Sequence, residues 1–276
     1  MRKICVYVVT YNNPERINQN IDSFLRTTSQ IKDAEFSYNI INNHSNFFLN
    51  DAYRNLPFIK VFHSLRPDNS CGHLARDYNF AYIDGFKNLL NPSCDQVICL
   101  HDDSMWMHGW YNALCDIHKT YTYYQGDYGC SMTSVLPEAV RKIGLWDERF
   151  CNIGYHEADY SLRALIYNKE KSTINDHLAG RVLNPTCVIF NRAPENMAKL
   201  QHGIETMKYH PVSRKVFHEK WGIHPEFWYT RVFGVTELPT VSKIKNYVFY
   251  PYFEKDVEDL EGKNYCVEWT FRNEWY

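Results

Sequence analysis

Two adjacent aspartates, Asp102 and Asp103, close the apolar run 97–100 in the stretch VICLHDDS. Neighbouring carboxylates repel each other unless they share a cation, and hard oxygen donors suit Mg2+ or Mn2+. The pair therefore predicts a divalent-metal site. A plainer reading competes with it: Asp102 and Ser104 could cap a helix expected over 109–121. Either way a rigid element must deliver the acids. Val97, Ile98, Cys99 and Leu100 suit a strand buried on both faces, as in a parallel sheet. The acids would then emerge at its carboxyl end, where open α/β sheets bind ligands.

The elements before this strand agree. Residues 4–9 form a nearly continuous apolar run, followed by the polar loop Thr10, Tyr11, Asn12 and Asn13. Pro14 fits the first turn of a helix carrying Ile17, Ile21, Phe24 and Leu25 on one face. Strand, polar loop and helix open a nucleotide-binding α/β unit, but there is no glycine fingerprint of a dinucleotide or P-loop site. Further strands are expected over 36–41 and 58–62, and a helix over 71–90 stopped by Asn91 and Pro92. Beyond the acids the pattern predicts strands over 128–133 and 187–190, and helices over 137–143, 154–167 and 213–221. The fold expected is α/β, with a mostly parallel central sheet flanked by helices. From residue 223 onward the chain turns aromatic and is broken by Pro225, Pro239 and Pro251. This suggests a core domain over 1–222 and an extension over 223–276, read as a β-rich appendage, a lid or a homo-oligomer contact.

Composition narrows the classes. With 276 residues, 45% of them hydrophobic, the chain can bury one sizeable core. Thirty basic against 32 acidic residues give no electrostatic case for nucleic acid or an anionic membrane. Nine scattered cysteines lack the paired spacings of zinc sites and read as reduced core thiols, favouring a cytoplasmic location. The opening MRKICVYVVT imitates a signal peptide, but its apolar part is short and meets no small-residue cleavage site, so a first strand is expected. No apolar run approaches the roughly eighteen residues of a membrane helix.

Taken together, these residues resemble the nucleotide-sugar glycosyltransferases of GT-A fold, closest to the family 2-like group. The similar stretches are VYVVTYNNPERI, IINNHSN, then Gly72, Ala75, Arg76 and Asp77 ahead of VICLHDDS, then GLWDERFCNIGYHEADYSLR, and finally FHEKWG. They run in the family's order from residue 4 to residue 222. The resemblance implies a metal-dependent transferase moving a sugar from a nucleoside-diphosphate sugar, with a UDP-sugar favoured, to a hydroxyl of a carbohydrate or other acceptor. Mn2+ or Mg2+ would be held by Asp103, with His202 as a downstream ligand in competition with His210 and His224. Asp102 would serve the ribose or metal-bound water. Thr10, Tyr11, Asn12, Arg16 and Asn42 would surround base and ribose, and Arg76 would approach the diphosphate or pair with a strand-end acid. Glu157 and Asp159 are the candidate general bases of an inverting transfer; Asp159 also stands four residues before Arg163, the spacing of a helix-stabilising pair. Trp106, Trp110, Trp146 and Tyr155 are candidates to stack on an acceptor sugar, with Asp147 and Glu148 on its hydroxyls or fixing their own loop.

Two departures from the family pattern stand out. His101 replaces the first acid of the usual Asp-x-Asp, and Asn42 replaces the acid that ends the second strand. They keep open a rival reading as a carbohydrate- or nucleotide-binding protein without turnover; a retaining transferase is the second rival, and a nucleotidyltransferase would require a glycine-rich phosphate loop.

Overall fold

The computed structural model describes residues 1–65, 74–125, 132–150, 155–167, 189–191 and 210–221. Along the chain lie β1 (Arg2–Thr10), α1 (Pro14–Thr28), β2 (Ala34–Asn42), α2 (Asp51–Arg54), β3 (Ile59–His63), α3 (Leu74–Phe86) and β4 (Gln96–His101). After them come β5 (Ser104–Trp106), α4 (Trp110–Ile117), β6 (Tyr123–Gln125), β7 (Met132–Val135), α5 (Pro137–Ile143), α6 (Tyr155–Tyr167), β8 (Ile189–Asn191) and α7 (His210–Trp221). Six strands form one sheet in the order β3-β2-β1-β4-β7-β6, and β5 pairs with β8 in a second, two-stranded sheet. The first four strands of the large sheet are parallel, and β7 alone runs antiparallel to its neighbours. The expected mostly parallel α/β architecture is the one observed.

The continuous apolar run of β1 has a direct cause. Its side chains alternate between two cores, so neither face can be polar. Ile4, Val6 and Val8 pack with Ile17, Ile21 and Phe24 of α1 and with Trp110 and Leu114 of α4. Tyr7 and Val9 pack on the other face with Tyr78 and Tyr82 of α3, Val140 of α5 and Tyr160 of α6. Strand β4 divides the same way: Ile98 and Leu100 join the first core, Val97 and Cys99 the second. The centre of the sheet is thus sandwiched between helices, and its only loop-bearing rims are the strand ends.

Several boundaries differ from expectation for local reasons. Helix α3 stops at Phe86 rather than at 90, because Lys87 takes a left-handed conformation (φ 61°) that a helix cannot continue through. Near its end, Gly85 lies so close to β4 that a Cβ there would stand 2.6 Å from Val97 Cγ2. Helix α4 begins after Gly109, itself left-handed, and is shorter than predicted. Strand β6 (YYQ) escaped notice because three residues are too few for a period. The extension over 223–276 lies outside the described residues, as do Cys71, Cys130, Cys151, Cys187 and Cys266. Cys5, Cys94, Cys99 and Cys115 are free thiols. Among the described residues no helix is long and apolar enough to cross a membrane.

Candidate active site

Strands β1, β2 and β4 end side by side, bringing Thr10, Asn42 and His101 to one rim of the sheet. The two acids follow His101 in a tight turn that reverses the chain into β5. Beneath this turn, α1 supplies a buried polar brace. Asn20 donates its amide to the Ser104 carbonyl (2.6 Å) and accepts from Tyr38 Oη (2.6 Å) and Trp106 Nε1 (3.0 Å), while Ser23 Oγ accepts from the Trp106 N–H (3.0 Å). Buried amides and hydroxyls are retained only where such partners exist, so this set fixes where the acids emerge.

Asp102 turns toward β1. Its carboxylate accepts a 2.6 Å hydrogen bond from the Thr10 hydroxyl and another from the Tyr11 backbone N–H. Removal of water pushes this carboxyl up to about 7, and the neighbouring Asp103 charge pushes the same way; the Thr10 bond, Arg16 and the Tyr11 N–H only partly offset them. The capping alternative is overturned: α4 has Gly109 at its cap position with no side-chain cap, and Ser104 belongs to β5. Asp103 is placed differently, since its Oδ1 is buried without a hydrogen-bond donor. Burial lowers the His101 ring's affinity for a proton, against the opposing pull of Asp103 and Asp77, so the imidazole here favours its neutral form.

Loops from β1 and β2 interlock over this rim. Tyr11 meets the His44 ring edge-on at 4.9 Å, and Asn12, left-handed at φ 52°, accepts from Asn46 Nδ2 at 2.8 Å. The expectation that Asn42 holds a base through its amide needs correction. Asn42 is 1% exposed, and Nδ2 spends its two protons on the His44 carbonyl (2.9 Å) and the His63 ring (3.1 Å). A donor already committed twice has nothing left for a ligand. Arg76 pairs with Asp77 (3.4 Å), an acid of its own helix rather than of a strand end as expected, and donates to Ser64 Oγ (2.8 Å). Asp77 in turn accepts from Asn43 Nδ2 (2.8 Å), which ties the start of α3 to the end of β2. Asn43 Oδ1, like Asp103 Oδ1, is buried without a donor.

The acidic helix approaches from the α3 side. His156, next to Glu157, lies 5.6 Å from the Trp146 ring; Trp146 lies 5.3 Å from Tyr78, and Tyr78 lies 6.2 Å from His101. Two rings therefore separate the start of α6 from the end of β4. Glu157 is half-buried. Asp159 is fully buried, bonded to Arg163 Nε (3.0 Å) and to Lys220 Nζ of α7 (2.7 Å). The candidate base is thus engaged by two fixed cations and buried away from any acceptor hydroxyl, which leaves it a structural partner of Arg163 and Lys220.

The stacking platform is also overturned in part. Trp106, Trp110 and Trp146 are at most 2% exposed, with their indole N–H groups on Asn20, Thr27 and Tyr82. Tyr155 is buried too. Asp147 and Glu148 fix their loop: Asp147 binds Arg149 and Lys220, and Glu148 accepts from Asn79 at 2.9 Å. Burial alone would push the Asp147 carboxyl up, but the Lys220 ammonium and the Arg149 guanidinium overcome it and hold the group well below the ordinary carboxylate range. His202, His210 and His224 contribute no side-chain position: His202 and His224 lie outside the described residues, and only the backbone of His210, opening α7, is described.

Sequence reasoning gave no site role to Asn43, Asp77 or His63. The first two stand within stretches that carry the resemblance, IINNHSN and the Ala-Arg-Asp run, so a signal was there; His63 had none, since its partner is 21 residues away.

No family model matches the chain, and no curated protein does. Among solved structures it is similar to S. aureus TarS 1-349 (14% identity, TM-score 0.47, covering 79% of this chain and 72% of that one). It is also similar to the mannosyltransferase PcManGT from Pyrobaculum calidifontis in complex with GDP-Man and Mn2+ (11%, TM-score 0.46, covering 86% and 65%). A third is the catalytic domain of Drosophila β1,4-galactosyltransferase 7 in complex with xylobiose (8%, TM-score 0.44, covering 73% and 74%). The chain spans about a third of the longer TarS chain, 34% of it.

Proposed function

We propose that this chain is a metal-dependent, inverting glycosyltransferase that takes a nucleoside-diphosphate sugar, a UDP-sugar before others, and transfers the sugar to a hydroxyl of a carbohydrate acceptor. One observation carries the reading: adjacent acids at the carboxyl rim of the sheet, one pinned to the β1 loop and the other with a buried oxygen lacking any donor. Such an oxygen seeks a cation. Among the described residues no three His, Cys, Asp or Glu side chains converge on one point, and at this rim Asp103 is the carboxylate that would hold an ion. When bound, Mn2+ or Mg2+ neutralises the diphosphate leaving group.

The chain's own groups do the rest. Asp103 would anchor the ion. Asp102, by holding Thr10 and Tyr11, would keep the β1 loop shaped for base and ribose, with Asn12 and Arg16 beside it. Asn42 and Arg76 would act at one remove, Asn42 by setting the β2 loop and Arg76 by setting Asp77. Glu157 would accept the proton of the acceptor hydroxyl as its oxygen bonds to the anomeric carbon, while the carbon–oxygen bond to the diphosphate breaks and its electron pair leaves with the phosphate. Asp159 would fix the helix that carries Glu157.

A nucleotide-binding protein without turnover is the second reading, favoured by His101 standing neutral where the resembled family has an acid. Incubation with UDP-sugars and Mn2+, with and without a carbohydrate acceptor, separates the two. Wild type should release UDP, and Glu157→Gln should lose at least about 100-fold in rate with nucleotide binding retained. Binding without release in wild type would support the second reading, and unimpaired turnover by Glu157→Gln would remove Glu157 from the chemistry.

A further inference from the structure

Asn42 and His63 face each other at the ends of β2 and β3, in direct register. The orientation of the Asn42 amide is fixed by groups that cannot change role. The His44 backbone N–H donates to Oδ1 (3.2 Å), and Nδ2 donates to the His44 carbonyl (2.9 Å). The remaining Nδ2 proton points at His63 Nδ1, 3.1 Å away. His63 Nδ1 must therefore carry a lone pair, and the neutral ring holds its proton on Nε2. Through Asn42 this ring sets the loop 42–46, whose His44 ring rests on Tyr11 and whose Asn46 binds Asn12.

We infer that His63 is a positioning residue whose neutral ring, acting through Asn42, holds the β2 loop against Tyr11 and Asn12, and whose protonation releases that loop and weakens nucleotide binding. The inference rests on the proposed nucleotide site. A proton on Nδ1 sets an N–H against an N–H, losing the hydrogen bond and leaving the Asn42 donor unpaired. The ring is exposed, so protons reach it freely. Its other neighbours are the Phe47 ring at 5.7 Å, Ser64, whose N–H binds the Asn42 carbonyl, and beyond Ser64 the Arg76–Asp77 pair of α3. On the loop itself His44 is the other titratable group, its Nδ1 accepting from the Asn46 N–H at 2.9 Å.

Titration calorimetry of UDP with MnCl2 at about pH 7.5 and about pH 5.5, spanning ordinary imidazole titration, tests this on wild type, His63→Gln, His44→Gln and the double variant. Glutamine keeps an acceptor oxygen without a titrating proton. UDP's own phosphate titrates in this range, so the result is the difference between proteins. Wild type should weaken about five-fold more than His63→Gln on acidification, the worth of one net hydrogen bond, and the same difference should separate His44→Gln from the double variant His44→Gln/His63→Gln, so that the His44 bond to the Asn46 N–H is held constant. Equal pH profiles for wild type and His63→Gln would overturn the inference.

A second arm needs no nucleotide. Nitrogen-15 spectra of the wild-type protein should show the neutral His63 ring carrying its proton on Nε2, with the Asn42 side-chain amide shifting when the ring takes up a second proton. Protonation on Nδ1 instead, or an Asn42 amide indifferent to pH, would also overturn it. If UDP fails to bind at any pH, the functional reading falls, while this arm still decides the role of His63.

Discussion

Two pairs of acids stand in opposite electrostatic states. Asp147 and Asp159 are wholly buried, and both bind Lys220 at 2.7 Å, with Arg149 on the first and Arg163 on the second, so three cations meet two acids. Asp102 and Asp103 stand next to each other, with the Thr10 hydroxyl and the Tyr11 N–H on one and a donorless buried oxygen on the other. The consequence appears in proton affinity: cations hold Asp147 well below the ordinary carboxylate range, whereas Asp102 is pushed up to about 7. Buried acids whose charge is met by cations join α7 to α6 and to the loop after α5. On the proposed function the acids at the sheet rim are instead the ones that would meet a cation, and that difference separates a clasp from a candidate site.

Breaking the clasp should have the largest effect. Lys220→Met keeps the volume but strips one cation from two buried carboxylates, and urea unfolding should show a loss of about 3 kcal/mol or more. A loss under about 1 kcal/mol would mean that the network is slack. Acid titration sharpens the contrast by adding a third buried group. His118 donates from Nδ1 to the Tyr121 carbonyl (2.8 Å) and accepts at Nε2 from Ser134 Oγ (2.7 Å), which is itself bonded by Gln96 (2.7 Å). Burial lowers its pKa from 6.5 to about 4, outweighing the Tyr121 bond. A base depressed in the fold contributes stability that is full above the unfolded value and is lost as pH falls. The His118 contribution should therefore drop by up to about 3 kcal/mol between about pH 6.5 and 4, in a window where Asp102, pushed up to about 7, contributes in the opposite sense as it takes up its proton. His118→Gln keeps Asp102, so its stability should rise relative to wild type by up to about 3 kcal/mol as pH falls through that window, and parallel profiles for the two proteins would point elsewhere. Gly85→Ala, which perturbs packing without touching either acid pair, should cost about 1–3 kcal/mol through its clash with Val97, again read from urea unfolding. The smallest expected change is at the site: Asp103→Asn should leave stability within about 1 kcal/mol of wild type, since it removes charge repulsion and no hydrogen bond.

What could be read along the chain follows from the range of the interactions. Strands β1 and β4, the polar loop after β1 and the emergence of Asp102 and Asp103 are local facts of hydrophobic pattern, and each stands where the pattern put it. Of the partners of Asp159 and Asn42, Arg163 and His44 are local, but Lys220 and His63 are not. Lys220 is 61 residues beyond Asp159, and no spacing rule reaches that far. For the three tryptophans the limit is chemical: a ring with one N–H suits a sugar platform and a core equally, and only Asn20, Thr27 and Tyr82, waiting inside the fold for those N–H groups, decide the matter. The resemblance supplied roles from a pattern this chain leaves at His101 and Asn42, and the Asn42 amide is taken up by His44 and His63 instead of standing open.

The central claim, that Asp103 at the sheet rim would hold a cation on which nucleotide binding depends, is tested most directly by calorimetry of UDP on wild type and on Asp103→Asn, with MnCl2 and with EDTA. Saturable binding to wild type that vanishes with EDTA and falls at least about ten-fold, or about 1.4 kcal/mol, in an equally stable Asp103→Asn is the result expected. UDP binding of the same strength in both proteins, or binding indifferent to EDTA, would contradict it.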